Sequence, residues 1–136
     1  MLTIEINSFS FLRGGIPEDK SGHGGGFVFD CRFLPNPGRF DAYRSLNGKD
    51  EEVIRFLENE NSVQEFKTLT FTLVKQAVEK YVERSFEHLT VNYGCTGGQH
   101  RSVYCAEQLA RYIKNNFESV DVKIKHVQRE LEGELI

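Results

Sequence analysis

Apolar and polar positions change their period several times along the chain, and each change marks an element. Leu2, Ile4 and Ile6 alternate with polar neighbours before the phase blurs toward Phe11. A period of two predicts a half-buried strand over residues 2–11. Phe27 to Leu34 (FVFDCRFL) is a short apolar run closed by Pro35-Asn36-Pro37-Gly38. Two prolines remove backbone donors and keep the chain extended or turning, so a buried strand leading into a rigid loop is predicted. Asp50 stands where it can cap a short helix through Asn59, with Val53, Ile54 and Leu57 on one face.

Ser62 and Glu65 have capping-box spacing ahead of Phe66, Leu69, Leu73, Ala77 and Tyr81, which predicts a helix running to Arg84. His88 to Tyr93 reads as a strand and is followed by a glycine loop. A helix then carries Val103, Ala106, Leu109, Ala110, Ile113 and Phe117 on its inner side. Val120, Val122 and Ile124 alternate in a final strand over residues 120–126, and the polar, acidic residues from Gln128 onward read as a frayed end or a short helix. Strand, tight loop, helix and strand predict a right-handed crossover with a parallel strand pair. The expected fold is therefore α/β, a small layered sheet of about four mostly parallel strands with helices packed on it. The whole chain, residues 1–136, is expected to form one domain, because 136 residues with 39% apolar content can bury a core unaided.

Charge and cysteine usage narrow the function classes. The net charge is −3. Residues 1–48 and 88–136 are each balanced, so the acid surplus falls in the helical middle. No basic stripe suited to neutralising many phosphates is visible, which disfavours general nucleic-acid binding. Cys31, Cys95 and Cys105 match neither a disulfide framework nor paired zinc knuckles and read as reduced cytoplasmic thiols, with Cys105 a small core residue. No apolar run of about eighteen residues and no leader pattern occurs, so neither membrane nor export is expected. Six glycines and Pro17 between Arg13 and Gly26 predict a mobile surface loop that can act as a lid.

The candidate chemistry is concentrated in Gly94-Cys95-Thr96-Gly97-Gly98-Gln99-His100-Arg101-Ser102. A strand end running straight into a helix start gathers unpaired amides and the positive end of the helix dipole, a recurrent anion site. Gly97 and Gly98 allow close backbone approach and positive φ. Arg101 can hold two anionic oxygens, His100 can donate near neutral pH, and Thr96 and Ser102 supply hydroxyls. Arg32 and Asn36, just after a strand expected beside the loop, are candidates for the same pocket. The plainer alternatives are a tight turn at Gly97-Gly98, a surface His100, an Arg101 paired with a carboxylate, and an Arg32 paired with Asp30 or Asp41. A zinc site from His23, Cys31, Cys95 and His100 fits no ligand spacing, and no metal or cofactor is expected.

Two resemblances sharpen these readings. Cys95, Gly98, Arg101 and Ser102 read C-x-x-G-x-x-R-S, which resembles the phosphate loop of cysteine-dependent phosphatases. A thiolate nucleophile is sensible at a helix N-terminus, with Asp30 or Asp41 as the available general acids, although Gly94 stands where those enzymes carry histidine. The second resemblance covers most of the chain. SFSFLRGGIP (Ser8 to Pro17), FDCRFLPNP (Phe29 to Pro37) and GCTGGQHRSVYCAEQLA (Gly94 to Ala110), with Leu46-Asn47-Gly48 and His126, resemble the C-terminal domains of the bacterial RapZ family of RNase adapter proteins.

That resemblance implies a phosphofructokinase-subdomain-like fold and a sensor or adapter role. It implies binding of a sugar phosphate such as glucosamine-6-phosphate by Cys95, Thr96, Gly97, Gly98, Gln99, His100, Arg101 and Ser102, with Arg32 and Asn36. Expected partners are an anionic small molecule (phosphate, sulfate or sugar phosphate), a protein such as a separately encoded NTPase subunit, and further copies of the chain. The chain departs from the family in three respects. It contains no GxxxxGK[ST], so NTP hydrolysis is not carried over. Gly38 and Arg39 replace the histidine and aromatic of enterobacterial members. The tail Glu130-Leu131-Glu132-Gly133-Glu134 is acidic where RNA-binding members are basic, which leaves RNA the least supported partner.

Overall fold

The alternation at the start of the chain is realised at the centre of a sheet. The computed structural model describes residues 1–134 and 136. Strand β1 (Leu2–Ser10) lies between β3 (His88–Cys95) and β4 (Val120–His126), and β2 (Phe27–Asp30) pairs with the outer side of β3. The order is β2-β3-β1-β4 and every pairing is parallel. β3 and β4 thus both pair with β1 and not with each other, because the intervening helix carries the chain across β1. Helices α1 (Glu51–Glu58), α2 (Asn61–Glu83), α3 (Arg101–Asn116) and the short α4 (Val127–Leu131) complete the fold.

The core lies on one side of the sheet. Ile4, Ile6, Leu89, Val91 and Tyr93 pack against Val74 and Val78 of α2 and Ala106, Leu109 and Ile113 of α3. Ile4 and Ile6 are fully buried, each contributing roughly 1.5–3 kcal/mol by removal from water. A fully buried Tyr93 needs a partner for its hydroxyl, and finds Thr70 Oγ1 at 2.9 Å.

Several local expectations are corrected. β2 ends at Asp30, and as an edge strand it is only half-buried, with Val28 exposed. Asp50 occupies the N-cap position of α1, but its carboxylate turns back to accept from the Asn47 amide. The Ser62–Glu65 capping box does not form. The Glu60 carbonyl already accepts from the amides of Val63 and Gln64, so α2 starts earlier and Ser62 falls inside its first turn. The buried stripe of α2 is Val63, Thr70, Val74 and Val78, while Leu69 and Leu73 face outward. β3 continues through Gly94 and Cys95, so these two residues belong to the strand and not to the loop. The C-terminal residues from Val127 to Leu131 form α4, with Gln128 and Arg129 buried. Among the described residues no helix is long and apolar enough to cross a membrane.

Candidate functional site

Chain direction creates a crevice at the carboxyl ends of β1 and β3. From Ser10 the chain passes into the glycine-rich segment, which places Asp19 beside Glu5 and His88 on the sheet face away from the helices. From Cys95 it passes into α3, on the opposite face. Adjacent parallel strands whose connections leave to opposite faces make the switch point at which α/β sheets bind ligands. Here it holds a cavity of about 330 Å³ walled by Cys95, Thr96, Gly97, Gln99, His100 and Arg101, with Asn36 opposite. His100, at the N-cap position of α3, makes no side-chain capping hydrogen bond, and the positive end of the helix dipole favours an anion there.

The two loop glycines do different work. Gly98 has φ +65°, and a Cβ there would lie 2.7 Å from Cβ of Gln128 and 3.0 Å from the Ser10 amide nitrogen. Gly97 is exposed and a Cβ would meet nothing within 4 Å, so this is the position where a ligand can approach the backbone. The loop is braced from beneath. Ser10 Oγ donates to the Thr96 carbonyl at 2.6 Å, and Gln99 Nε2 donates to the carbonyls of Arg44 and Leu46. Gly48 donates its amide to the Gln99 carbonyl, so close that a Cβ would overlap His100 O and Tyr104 N at 2.4 Å.

Arg101 is the dominant charge. It is 4% exposed, and its Nη1 donates to the carbonyls of Arg32 (2.8 Å) and Leu34 (3.0 Å), which fastens the RFLPNP segment to the start of α3. Its Nε is buried without a partner, and among the described residues no carboxylate pairs with it. A buried guanidinium held only by neutral carbonyls is costly unless an anion completes it. His100 is also buried. Its Nε2 lies 2.8 Å from the Tyr43 carbonyl, and burial pushes the imidazole below its ordinary range. A carbonyl can only accept, so Nε2 carries the proton there. Asn36 Oδ1 accepts from the Gly38 amide and caps a 3-10 turn at Pro37–Arg39.

The remaining predicted residues divide. Ser102 is fully buried behind the cavity wall, with its Oγ 3.1 Å from Cys95 Sγ. Arg32 does not point its charge into this cavity. Its guanidinium is clasped by Asp30 at 2.8 Å, lies 3.9 Å over the Phe11 ring, and borders an adjoining cavity of about 590 Å³ that shares Asn36, Thr96 and Arg101. Neither suggested general acid lines the first cavity: Asp30 is engaged by Arg32, and Asp41 is an exposed partner of Arg44. The considered zinc quartet does not assemble, because His23 stacks on His88. All three cysteines are free and buried, and burial drives the Cys31 thiol well up.

Sequence reasoning missed three cations of this wall, Arg13, Arg44 and Arg129. Arg129 is nearly buried in α4 and ion-paired with Glu132 and Glu134, and Arg13 reaches Glu132 from the other rim. Arg13 was signalled by its place in SFSFLRGGIP; Arg129 sits in a stretch whose acidic bias hid it. Beside the site, Ser8 Oγ, His126 and Glu107 form a line with contacts of 2.7 Å on both ring nitrogens. Ser8 is fully buried, so no substrate reaches its hydroxyl and the line serves as a strut from β1 through β4 to α3. The His126 hydrogen bond holds the Glu107 carboxyl below its ordinary range.

The family model described as the RapZ C-terminal domain matches residues 2–131. A nucleotide-binding protein of Fusobacterium nucleatum is 36% identical over 132 residues, covering 96% of this chain and 43% of the relative. The RNase adapter protein RapZ of Yersinia pestis is 38% identical over 128 residues, 94% of this chain and 43% of the relative. A nucleotide-binding protein of Thermosipho melanesiensis is 42% identical over 113 residues, 83% and 38% respectively. The chain thus spans about two fifths of the length of these relatives.

Proposed function

The chain belongs to the RapZ C-terminal domain family, and from that premise we propose that residues 1–136 act as one non-enzymatic sensor or adapter unit that binds a phosphorylated small molecule at the start of α3. The observation that carries this reading is Arg101: a buried guanidinium with an unpartnered Nε and, among the described residues, no carboxylate, at the wall of a cavity that also takes in Arg13, Arg44 and Arg129, which pair with Glu132, Asp41 and Glu134. A dianionic phosphoryl group would find there the helix dipole, the Gly97 backbone and a planar charged donor. An amino-sugar phosphate such as glucosamine-6-phosphate is the ligand suggested by family membership, and the polar edges of Asn36 and Gln99 offer partners for sugar hydroxyls. As an adapter, the unit would pass its bound state to a protein or RNA partner.

Titration calorimetry with glucosamine-6-phosphate, inorganic phosphate and sulfate tests this. Binding of at least one is expected, weakened about tenfold or more by Arg101→Lys, which loses the planar fork. Gly97→Asp is expected to abolish binding without unfolding, because the new side chain enters open space and brings a repelling charge. No binding at millimolar concentration, or binding indifferent to both changes, would discard the proposal. The phosphatase alternative retains Cys95 on the cavity wall and in register with Arg101. Hydrolysis of an aryl phosphate, lost in Cys95→Ser, would favour it.

A further inference from the structure

The sheet face turned away from the helices carries a row of polar side chains whose needs the protein does not meet. Register aligns Thr3 with His88, Glu5 with Thr90 and Asn7 with Asn92, so Glu5, Asn7, His88, Thr90 and Asn92 share that face. Asn7, Thr90 and Asn92 are each 3% exposed. Asn7 Nδ2 donates to Asn92 Oδ1, and Asn92 Nδ2 donates to the Phe27 carbonyl. Asn7 Oδ1 and Thr90 Oγ1 remain buried without a hydrogen-bond partner, and His88 Nε2 faces the Glu5 carboxylate without hydrogen-bond geometry. Polar atoms left unpaired inside a protein are costly unless a ligand or water completes them.

The glycine-rich segment brings a further ligand-type group to this row. Asp19 receives the Ser21 amide on Oδ1 at 2.9 Å and the Gly25 amide on Oδ2 at 2.6 Å, which fixes its carboxylate over the sheet. Donor atoms of Glu5, Asp19 and His88 all lie within 4.8 Å of one another, with His88 Nε2 and Glu5 Oε2 3.2 Å apart. We propose that these three residues bind a divalent first-row transition metal that ties the glycine-rich segment to the sheet.

The spacing suits such an ion. Metal bonds of about 2.0–2.2 Å to imidazole nitrogen and carboxylate oxygen require donors about 3–4 Å apart, so a small inward shift of one carboxylate completes the site. One imidazole among oxygen donors favours zinc, manganese or cobalt over magnesium or calcium. The amides on Asp19 supply the orienting shell that metal ligands ordinarily carry. Thr90 Oγ1, opposite Glu5 and two residues beyond His88 on the same face, is a ready partner for a metal-bound water. A cavity of about 430 Å³ lined by His23, Phe86 and His88 opens on the imidazole side of the cluster.

The test uses chelator-treated full chain titrated with Zn²⁺, Mn²⁺, Co²⁺ and Mg²⁺. Expected are one equivalent of Zn²⁺ or Mn²⁺ bound, little Mg²⁺, and affinity about tenfold or more lower in Asp19→Asn and His88→Ala. Asp19 lies in a surface segment, so its variant keeps the test valid should His88→Ala unfold. Co²⁺ should give d–d bands without thiolate charge transfer, and Zn²⁺ should shift the NMR signals of His88 and the stacked His23. No binding at 1 mM, affinity unchanged from wild type in both variants, or a thiolate band pointing to the cysteines would overturn the proposal.

Discussion

Two glycine-rich segments leave the carboxyl ends of neighbouring central strands, and they use glycine for different reasons. In the first, Gly14, Gly15, Gly22, Gly24 and Gly25 all have positive φ, yet a Cβ on any of them would meet nothing within 4 Å. At these five positions glycine is required by backbone conformation alone, and the segment is shaped by local bonds such as those to Asp19; only at its end, where Gly26 enters β2, would a Cβ overlap the Thr90 backbone. In the second, Gly98 combines positive φ with crowding by Gln128 and the Ser10 backbone, while Gly97 faces open space. The second segment is therefore built to bring backbone to a fixed place, and it leaves one bare position where the cavity opens.

Substitutions should separate the two. Gly98→Ala is expected to cost about 3 kcal/mol, combining left-handed strain with an overlap against α4. Urea unfolding measures this, and a cost near zero would mean that the packing of α4 is dispensable. Gly24→Ala should cost only about 1 kcal/mol, because strain acts without overlap. Equal losses for the two variants would break the comparison.

A smaller effect concerns the strut beside the second segment. The folded Glu107 carboxyl lies below its unfolded value because His126 bonds to it. Its contribution is therefore fully present above the unfolded carboxylate range and is lost as the pH falls through the folded value. Glu107 is partly exposed, so Glu107→Gln should destabilise by no more than about 1 kcal/mol at pH 7. The difference from wild type should shrink as the pH falls through the ordinary carboxylate range and vanish only below the lowered folded value. A difference that grew on acidification would contradict the assignment.

Much of this architecture is legible from spacing. Alternation at Val120, Val122 and Ile124 gave a strand with those bounds, and the junction of β3 with α3 located the crevice. Of the expected α2 stripe, Phe66, Ala77 and Tyr81 do pack against the core; Leu69 and Leu73 were misplaced because leucine outranks valine and threonine in hydrophobicity, whereas tertiary packing placed Thr70 against the Tyr93 hydroxyl and turned the two leucines outward. The capping box failed because the tight link from α1 starts the helix at Glu60, a constraint outside the four-residue pattern. Arg32 was drawn toward the site by its sequence neighbours, but the adjacent Asp30 captures it locally. Arg129 was overlooked because a count of charge over the tail averages away one buried cation. The unmet polar row under the glycine-rich segment depends on register between distant strands, which no local pattern carries.

On the proposed reading, the start of α3 and the Arg101 guanidinium together hold an anion. Amide chemical shifts of ¹⁵N-labelled protein, followed while inorganic phosphate is added at constant ionic strength, test it most directly. Saturable shifts concentrated on Gly97, Gly98, Gln99 and His100 and on the Arg101 Nε–H are predicted. Unchanged signals at these positions, or linear drifts spread over surface lysines, would contradict it.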